Sequence, residues 1–89
     1  MKAVITVTGK DAMGIIAAVS NRCADNGANI VDISQSVLQD YFAMIMLVDI
    51  DKLKIHLTDF VDVMNKIGSE KGLVIHTMHE DIFNAMHKI

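Results

Sequence analysis

The sequence predicts an α+β domain whose elements follow the order β-α-β-β-α-β, with a short helix at the end. Apolar residues recur at every second position in the segments assigned to strands, and at every third or fourth position in those assigned to helices. Glycines or short polar pairs separate most of these segments. A chain of 89 residues forms one domain, near the small end of what a single core supports.

The first strand and the first helix lie at the start of the chain. Residues 2–8 alternate, with Ile5 and Val7 on one face of the predicted strand. From Gly14 onward a helical spacing takes over, and Asn26-Gly27 is the signal that ends the helix. The residues at this helical spacing are Ile15, Ile16, Val19, Ser20 and Cys23.

The next two strands are predicted to form a hairpin. Residues 29–38 return to β character, residues 41–50 follow, and Gln39-Asp40 is the turn between them. The residues predicted on one face of the earlier strand are Val31, Ile33 and Val37. The later strand is apolar on both faces, which is typical of a strand in the middle of a sheet.

The rest of the chain predicts a second helix, a last strand and a terminal helix. Apolar residues keep a helical spacing from Leu53 to Ile67, and this helix ends at Gly68 or Gly72. Residues 73–78 form the last strand, and residues 81–89 form a short helix.

This order is the split β-α-β, or ferredoxin-like, arrangement of an antiparallel sheet with two helices on one face and the first and third strands at the centre. Residues 1–79 make up the domain, and residues 80–89 are a helical extension of it. The other face of the sheet also carries apolar residues of the third strand, so it needs a cover. The C-terminal helix, a second subunit or both would provide that cover.

The composition excludes several classes of protein. Hydrophobic residues make up 52% of this small chain, which predicts that some apolar surface is buried against a second copy. The formal net charge of −3 argues against a nucleic-acid partner. A single cysteine rules out an internal disulfide, and no apolar run reaches the roughly 20 residues that cross a membrane. Without a signal-peptide pattern, we expect a cytoplasmic protein.

The most informative segment is the loop after the first strand, residues 8–16. Gly9 and Gly14 allow its backbone to turn tightly and to approach a ligand, and free N–H groups at a helix start suit a carboxylate. Asn29 opens the next strand with an amide side chain. These residues predict a sensor of an amino acid or another carboxylate. No serine or cysteine is spaced with a histidine as nucleophile and base, so we expect neither an enzyme nor a cofactor.

With this element order, the chain resembles an ACT domain, a small regulatory module of amino-acid metabolism. It is most similar to the single-ACT proteins of bacteria that are grouped with the repressor of the glycine cleavage system. The family's loop has Asp or Asn, two variable positions and Gly, matched by Asp11-Ala12-Met13-Gly14, and then an aliphatic pair, matched by Ile15-Ile16. Asn29-Ile30 resembles the start of the family's second strand, and the whole resemblance covers residues 2–78.

The resemblance implies a homodimer with an amino acid enclosed at its interface and an unidentified target protein. By this likeness, Asp11 meets the ligand's ammonium group, N–H groups near Gly14 hold its carboxylate, and Asn29 of the partner subunit closes the site. The implied ligand-binding residues are Asp11, Ala12, Met13, Gly14, Ile15, Asn29 and Ile30. Two departures weaken this site: Met13 replaces the usual proline, and Gly9 replaces a polar residue that contacts the ligand in some members.

Several of these residues also have a purely structural interpretation. Asp11 is suited to cap the first helix, and Asn29 to complete a turn. Cys23, on the apolar stripe, is predicted to be an inert core thiol. A metal site built from His79, Glu80 and His87 is a minor alternative, since no pair among them has a strong zinc spacing. A protein–protein interaction module without a small ligand therefore remains the second functional class.

Overall fold

The computed structural model describes residues 1–10 and 13–87, and its elements follow the predicted order. In chain order they are β1 (Lys2–Gly9), α1 (Ile15–Asp25), β2 (Asn29–Leu38), β3 (Tyr41–Asp49), α2 (Leu57–Lys71), β4 (Val74–His79) and α3 (Glu80–Met86). The ferredoxin-like prediction is confirmed, including the helix that follows the last strand.

The four strands form one antiparallel sheet in the order β2-β3-β1-β4. The first and third strands therefore lie at the centre, as predicted. A two-residue turn at Gln39 and Asp40 joins β2 to β3, and Gln39 has a positive φ of 54°. Tight hairpins favour this left-handed conformation because it matches the right-handed twist of the strands.

The hydrophobic core lies between the two long helices and one face of the sheet. From the sheet it takes alternate residues of β1 and β3, such as Ile5 and Met46, both fully buried. Val19 on α1 and Phe60 and Met64 on α2 close it from the other side, each at 0% exposure. Each strand thus contributes one face, and each helix one stripe, to the same interior.

Glycines set the end of α2 and its distance from the sheet. The helix ends at Gly72, which has a φ of 69°, so the second of the two predicted stops is the correct one. Gly68 stays inside the helix, where a Cβ would lie 2.7 Å from the carbonyl oxygen of Leu73. Its missing side chain therefore allows the helix to press closely against the start of β4.

The prediction that Val31, Ile33 and Val37 lie on one face of β2 is correct for Ile33 and Val37 but wrong for Val31. Ile30 faces the partner residue Val48, and the next pair is Asp32 with Leu47, so a β-bulge interrupts the register at Val31. An extra residue in one strand reverses the alternation of the side chains that precede it. Ile30 and Ile33 consequently pack against the core, whereas Val31, at the bulge, is 49% exposed. Val37 shares the face of Ile33, but it lies near the end of the strand and is 71% exposed.

The central position of β3 is confirmed, but only one of its two apolar faces is buried in the core. Phe42, Met44, Met46 and Val48 face the core, whereas the side chains between them lie on the helix-free face. On that face Tyr41 is 58% exposed and Ile45 is 47% exposed. The helix α3 packs against β1 and β4, leaving the β2 and β3 side of the face uncovered.

Candidate functional site

The loop between β1 and α1 was predicted to hold the ligand. Asp11 and Ala12 lie outside the described residues. Gly14 occupies the N-cap of α1 with a φ of 73°, a left-handed conformation that favours glycine. Its carbonyl oxygen accepts the Ala18 N–H at 3.0 Å, which starts the first helical turn.

The two residues beside Gly14 differ in what they can offer a ligand. Ile15 is only 1% exposed and packs in the core, so only its backbone can take part in binding. The Met13 side chain, by contrast, is 87% exposed at the surface of the loop. Of the predicted aliphatic pair, Ile15 therefore anchors the helix in the core, whereas Ile16 is 37% exposed.

Among the residues that the structure describes, no side chain caps the beginning of α1. Gly14 makes no capping hydrogen bond, and the first turn contains no acidic residue. The first N–H groups of a helix have no acceptor within the helix, and they carry the positive end of its dipole. This end of α1 can therefore offer hydrogen-bond donors to a negatively charged group.

Two lysines flank this loop. The Lys71 Nζ atom lies 3.9 Å from the position that a Cβ on Gly14 would occupy. The Lys10 Nζ atom lies over the Tyr41 ring, 5.6 Å from its centroid. Lys71 is far from Gly14 in sequence, at the end of α2, and no spacing in the sequence predicted their approach.

Gly9 has a packing role that the sequence did not predict. A Cβ at this position would overlap the Leu73 Cδ2 atom, and it would lie 3.5 Å from Leu73 Cα. Leu73 is buried in the core at the start of the neighbouring strand. The close approach of Leu73 therefore explains why position 9 is a glycine, independently of any effect on ligand binding.

Asn29 lies at the opposite end of the sheet from the loop. Its register partner is Asp49, which pairs on its other side with Lys2, the first residue of β1. The loop follows Gly9, at the other end of the same strand. Seven residue steps of a strand separate these ends, or about 23 Å at about 3.3 Å per step. One protomer therefore does not bring the two parts of the predicted site together.

The Asn29 end has a shallow polar cleft of its own. Its volume is about 400 Å³, and its lining residues are Gly27, Asn29, Asp49, Asp51 and Lys52. The N-terminal ammonium of Met1 forms an ion pair with Asp51 at 2.6 Å, and this hydrogen bond raises the pKa of the amino group. Ile30 turns inward and packs against the core, so it contributes no side chain to the cleft.

Cys23 lies in the core, and His79 and His87 contact groups of α3. Cys23 is fully buried, and burial raises the pKa of its thiol to about 11. His79 accepts the Asp81 N–H through Nδ1 at 3.0 Å, and the His87 Nδ1 atom lies 2.8 Å from the Phe83 carbonyl oxygen. Within residues 1–10 and 13–87, no three His, Cys, Asp or Glu side chains gather where they could bind a metal ion. No helix in the same ranges is long and apolar enough to cross a membrane.

Comparison with known proteins gives consistent matches over nearly the whole chain. A family model described as an ACT domain matches residues 2–77. A UPF0237 protein of Methanococcus maripaludis is 49% identical over 86 residues, which cover 97% of this chain and 96% of that protein. An ACT domain protein from Streptococcus pneumoniae has a TM-score of 0.80 and 42% identity, with 98% of each chain covered.

A more distant solved structure matches in fold alone. The regulatory subunit of aspartate kinase from Thermus thermophilus, in its ligand-free form, has a TM-score of 0.63 and 23% identity. The match covers 85% of this chain and 49% of that one.

Proposed function

Because the chain belongs to the ACT domain family, we propose that it is a regulatory protein that binds an amino acid, or a similar small carboxylate, between two copies of itself. Binding of the ligand favours one arrangement of the two subunits, and the protein acts through a target protein that recognises this arrangement. The observation that carries the proposal is the start of α1 behind a left-handed Gly14, where no side chain of the described residues caps the helix.

The separation of Asn29 from the loop supports a site shared by two chains. Leu38 pairs with Tyr41, and Gly9 pairs with Phe42, so Leu38 lies at the loop end of the sheet. A two-fold axis that pairs β2 antiparallel with the partner's β2 would place Asn29 of the partner subunit near this end. Each loop would then face the asparagine of the other chain.

The β2 edge is suited to such pairing. It is an outer strand of ten residues, and Asp32 is its only charged residue. Exposed edges are usually protected by charges or proline, and the whole chain contains no proline. Along this edge Val31, Val37 and Leu38 are 49%, 71% and 72% exposed. Pairing with a second copy would bury part of this apolar surface.

A second candidate function is a protein–protein interaction module without a small ligand. The observation that favours it is the uncovered part of the helix-free face, where Tyr41, Ile45 and Val74 are each about half exposed. Apolar residues grouped on one face are typical of a surface that binds another protein.

Calorimetry with a panel of amino acids at millimolar concentration separates the two candidates. We expect heat of binding with at least one amino acid, and sedimentation of the protein as a dimer under the same conditions. If no amino acid gives heat with the folded wild-type protein, the ligand-sensing proposal is wrong and the interaction module is favoured.

A mixing experiment tests the shared site directly. Asp11→Ala and Asn29→Ala should each abolish binding in a pure homodimer, because every site then lacks one of its halves. Mixed and allowed to exchange subunits, the two variants form heterodimers with one intact site, so about a quarter of all sites should bind again. Binding that stays absent after subunit exchange has been demonstrated would mean that Asp11 and Asn29 serve the same chain's site.

A further inference from the structure

We propose that Lys71 is an additional ligand-binding residue of the glycine loop and that its ammonium group pairs with a carboxylate of the bound amino acid. This inference rests on the function proposed above and adds a residue to the same site. Lys71 is the last residue of α2, and its Nζ atom lies 3.9 Å from the Cβ position of Gly14. Two elements that are distant in sequence thus meet at the loop.

The ammonium group of Lys71 is available for a ligand. The ion pairs of the described residues join Met1 to Asp51 and Arg22 to Asp25, and His79 Nδ1 lies 3.6 Å from an Asp81 carboxylate oxygen; Lys71 takes part in none of these contacts. The side chain is exposed, and it lines a small cleft between α1 and α2 together with Ala18 and Ile67. A carboxylate at the loop could therefore reach Lys71 without displacing an ion-pair partner among these residues.

If Lys71 served only to stabilise the end of α2, the position of its ammonium group beside Gly14 would have no explanation. A lysine in the last turn interacts favourably with the negative end of the helix dipole. That interaction requires a positive charge at the end of α2, but it does not require the ammonium group to lie beside Gly14. With Lys10 on the other flank, two positive charges accompany the single negative charge of Asp11 in the loop sequence, in a protein of formal net charge −3. A negatively charged ligand group fits this local excess of positive charge.

The test compares Lys71→Met with Lys66→Met by calorimetry, using an amino acid that binds the wild-type protein. Both lysines are exposed on α2, and methionine keeps the length and helix propensity of the side chain. A hydrogen bond to a charged group contributes enough for a loss of about tenfold in affinity in Lys71→Met. We expect Lys66→Met to bind like the wild type and Lys71→Arg to recover most of the lost affinity.

A comparison of acidic with neutral amino acids shows which carboxylate of the ligand contacts Lys71. If Lys71 holds the α-carboxylate, Lys71→Met weakens acidic and neutral amino acids equally. If it holds a side-chain carboxylate, only aspartate or glutamate is weakened, whereas asparagine and glutamine are unaffected. Either result supports the inference, since the partner of Lys71 is a carboxylate in both cases.

Two results would overturn the inference alone, and a third would overturn it together with the proposed function. Unchanged affinity in Lys71→Met, with binding intact in the wild type, removes Lys71 from the site but leaves the site itself. An equal loss in Lys66→Met would mean that only the overall charge matters. If the wild type binds no amino acid, the proposed function fails and this inference fails with it. Thermal unfolding of each variant verifies that it is folded.

Discussion

Gly27→Ala should destabilise the protein more than Gly72→Ala, although both glycines have a left-handed backbone. Their φ angles are 81° and 69°. An alanine in this conformation costs about 1–2 kcal/mol, and the lower entropy of the unfolded alanine chain offsets about 0.4–1 kcal/mol of that cost. A Cβ on Gly72 meets no atom within 4 Å. We therefore expect Gly72→Ala to lower the free energy of unfolding by about 1 kcal/mol or less.

Gly27 has an additional cost that comes from a neighbouring loop. A Cβ at this position would overlap the carbonyl oxygen of Lys52, and it would lie 3.3 Å from the Cγ atom of Lys54. The overlapping backbone is held in place, because the Lys54 N–H donates a hydrogen bond to the Asn26 carbonyl oxygen at 2.8 Å. Forcing an extra methyl group into a packed site costs about 1–3 kcal/mol, so the total for Gly27→Ala is about 1–4 kcal/mol.

Urea unfolding followed by far-UV circular dichroism measures this difference. The wild type and both variants are compared at one protein concentration, because dimer formation would make the apparent stability depend on concentration. The m-values should remain equal, so that the midpoints report stability alone. If Gly27→Ala lost no more free energy than Gly72→Ala, the close approach of the Lys52 backbone would have no energetic consequence, and the reasoning would be wrong.

Two further predictions concern groups that titrate. Because burial raises the pKa of Cys23 to about 11, iodoacetamide at pH 8 should modify the folded protein very slowly, and the rate in urea should follow the unfolded fraction. The unfolded chain releases the thiol proton at a lower pH than the folded protein, so the free energy of unfolding should also fall as the pH rises from about 9 to 11. Rapid labelling of the folded protein would contradict both expectations. Asp51→Asn should lower the pKa of the Met1 amino group in an NMR titration, because the hydrogen bond to this carboxylate raises it. This contact stabilises the folded protein at pH values below the ordinary pKa of the amino group, and its contribution is lost as the pH rises through the pKa of the folded state. If the titration of the Met1 amino group were the same in Asp51→Asn as in the wild type, the role of this contact would be refuted.

The order of elements could be predicted because each segment carries its own signal. Alternation gave β1 and β4, helical spacing gave α1 and α2, and Asn26-Gly27 marked the end of α1. The burial of β2 could not be predicted in this way, because one bulged residue at Val31 shifts the phase of the strand. Nothing in the local alternation distinguishes a bulge from a regular strand, so this error depends on a tertiary feature.

The sequence predicted part of the candidate site. The parts that it did not predict depend, like the bulge in β2, on tertiary structure. The loop is recognisable because Gly14 lies where a strand gives way to a helix. The distance between this loop and Asn29 depends on the direction of β1 in the sheet, which becomes plain only from the strand register. Lys71 gave no signal at all, because it approaches Gly14 only once α1 and α2 pack side by side.

The central position of β1 affects how the chain can fold during its synthesis. This strand is made before the other three, yet one of its two neighbours is β4 (Val74–His79), the last of the four strands to be made. Until then, one edge of β1 has no partner, and the apolar side chains beneath it lack the cover that α2 and β4 provide. The domain can therefore reach its native sheet only after β4 has been made, and any truncation before β4 leaves one edge of β1 without a partner.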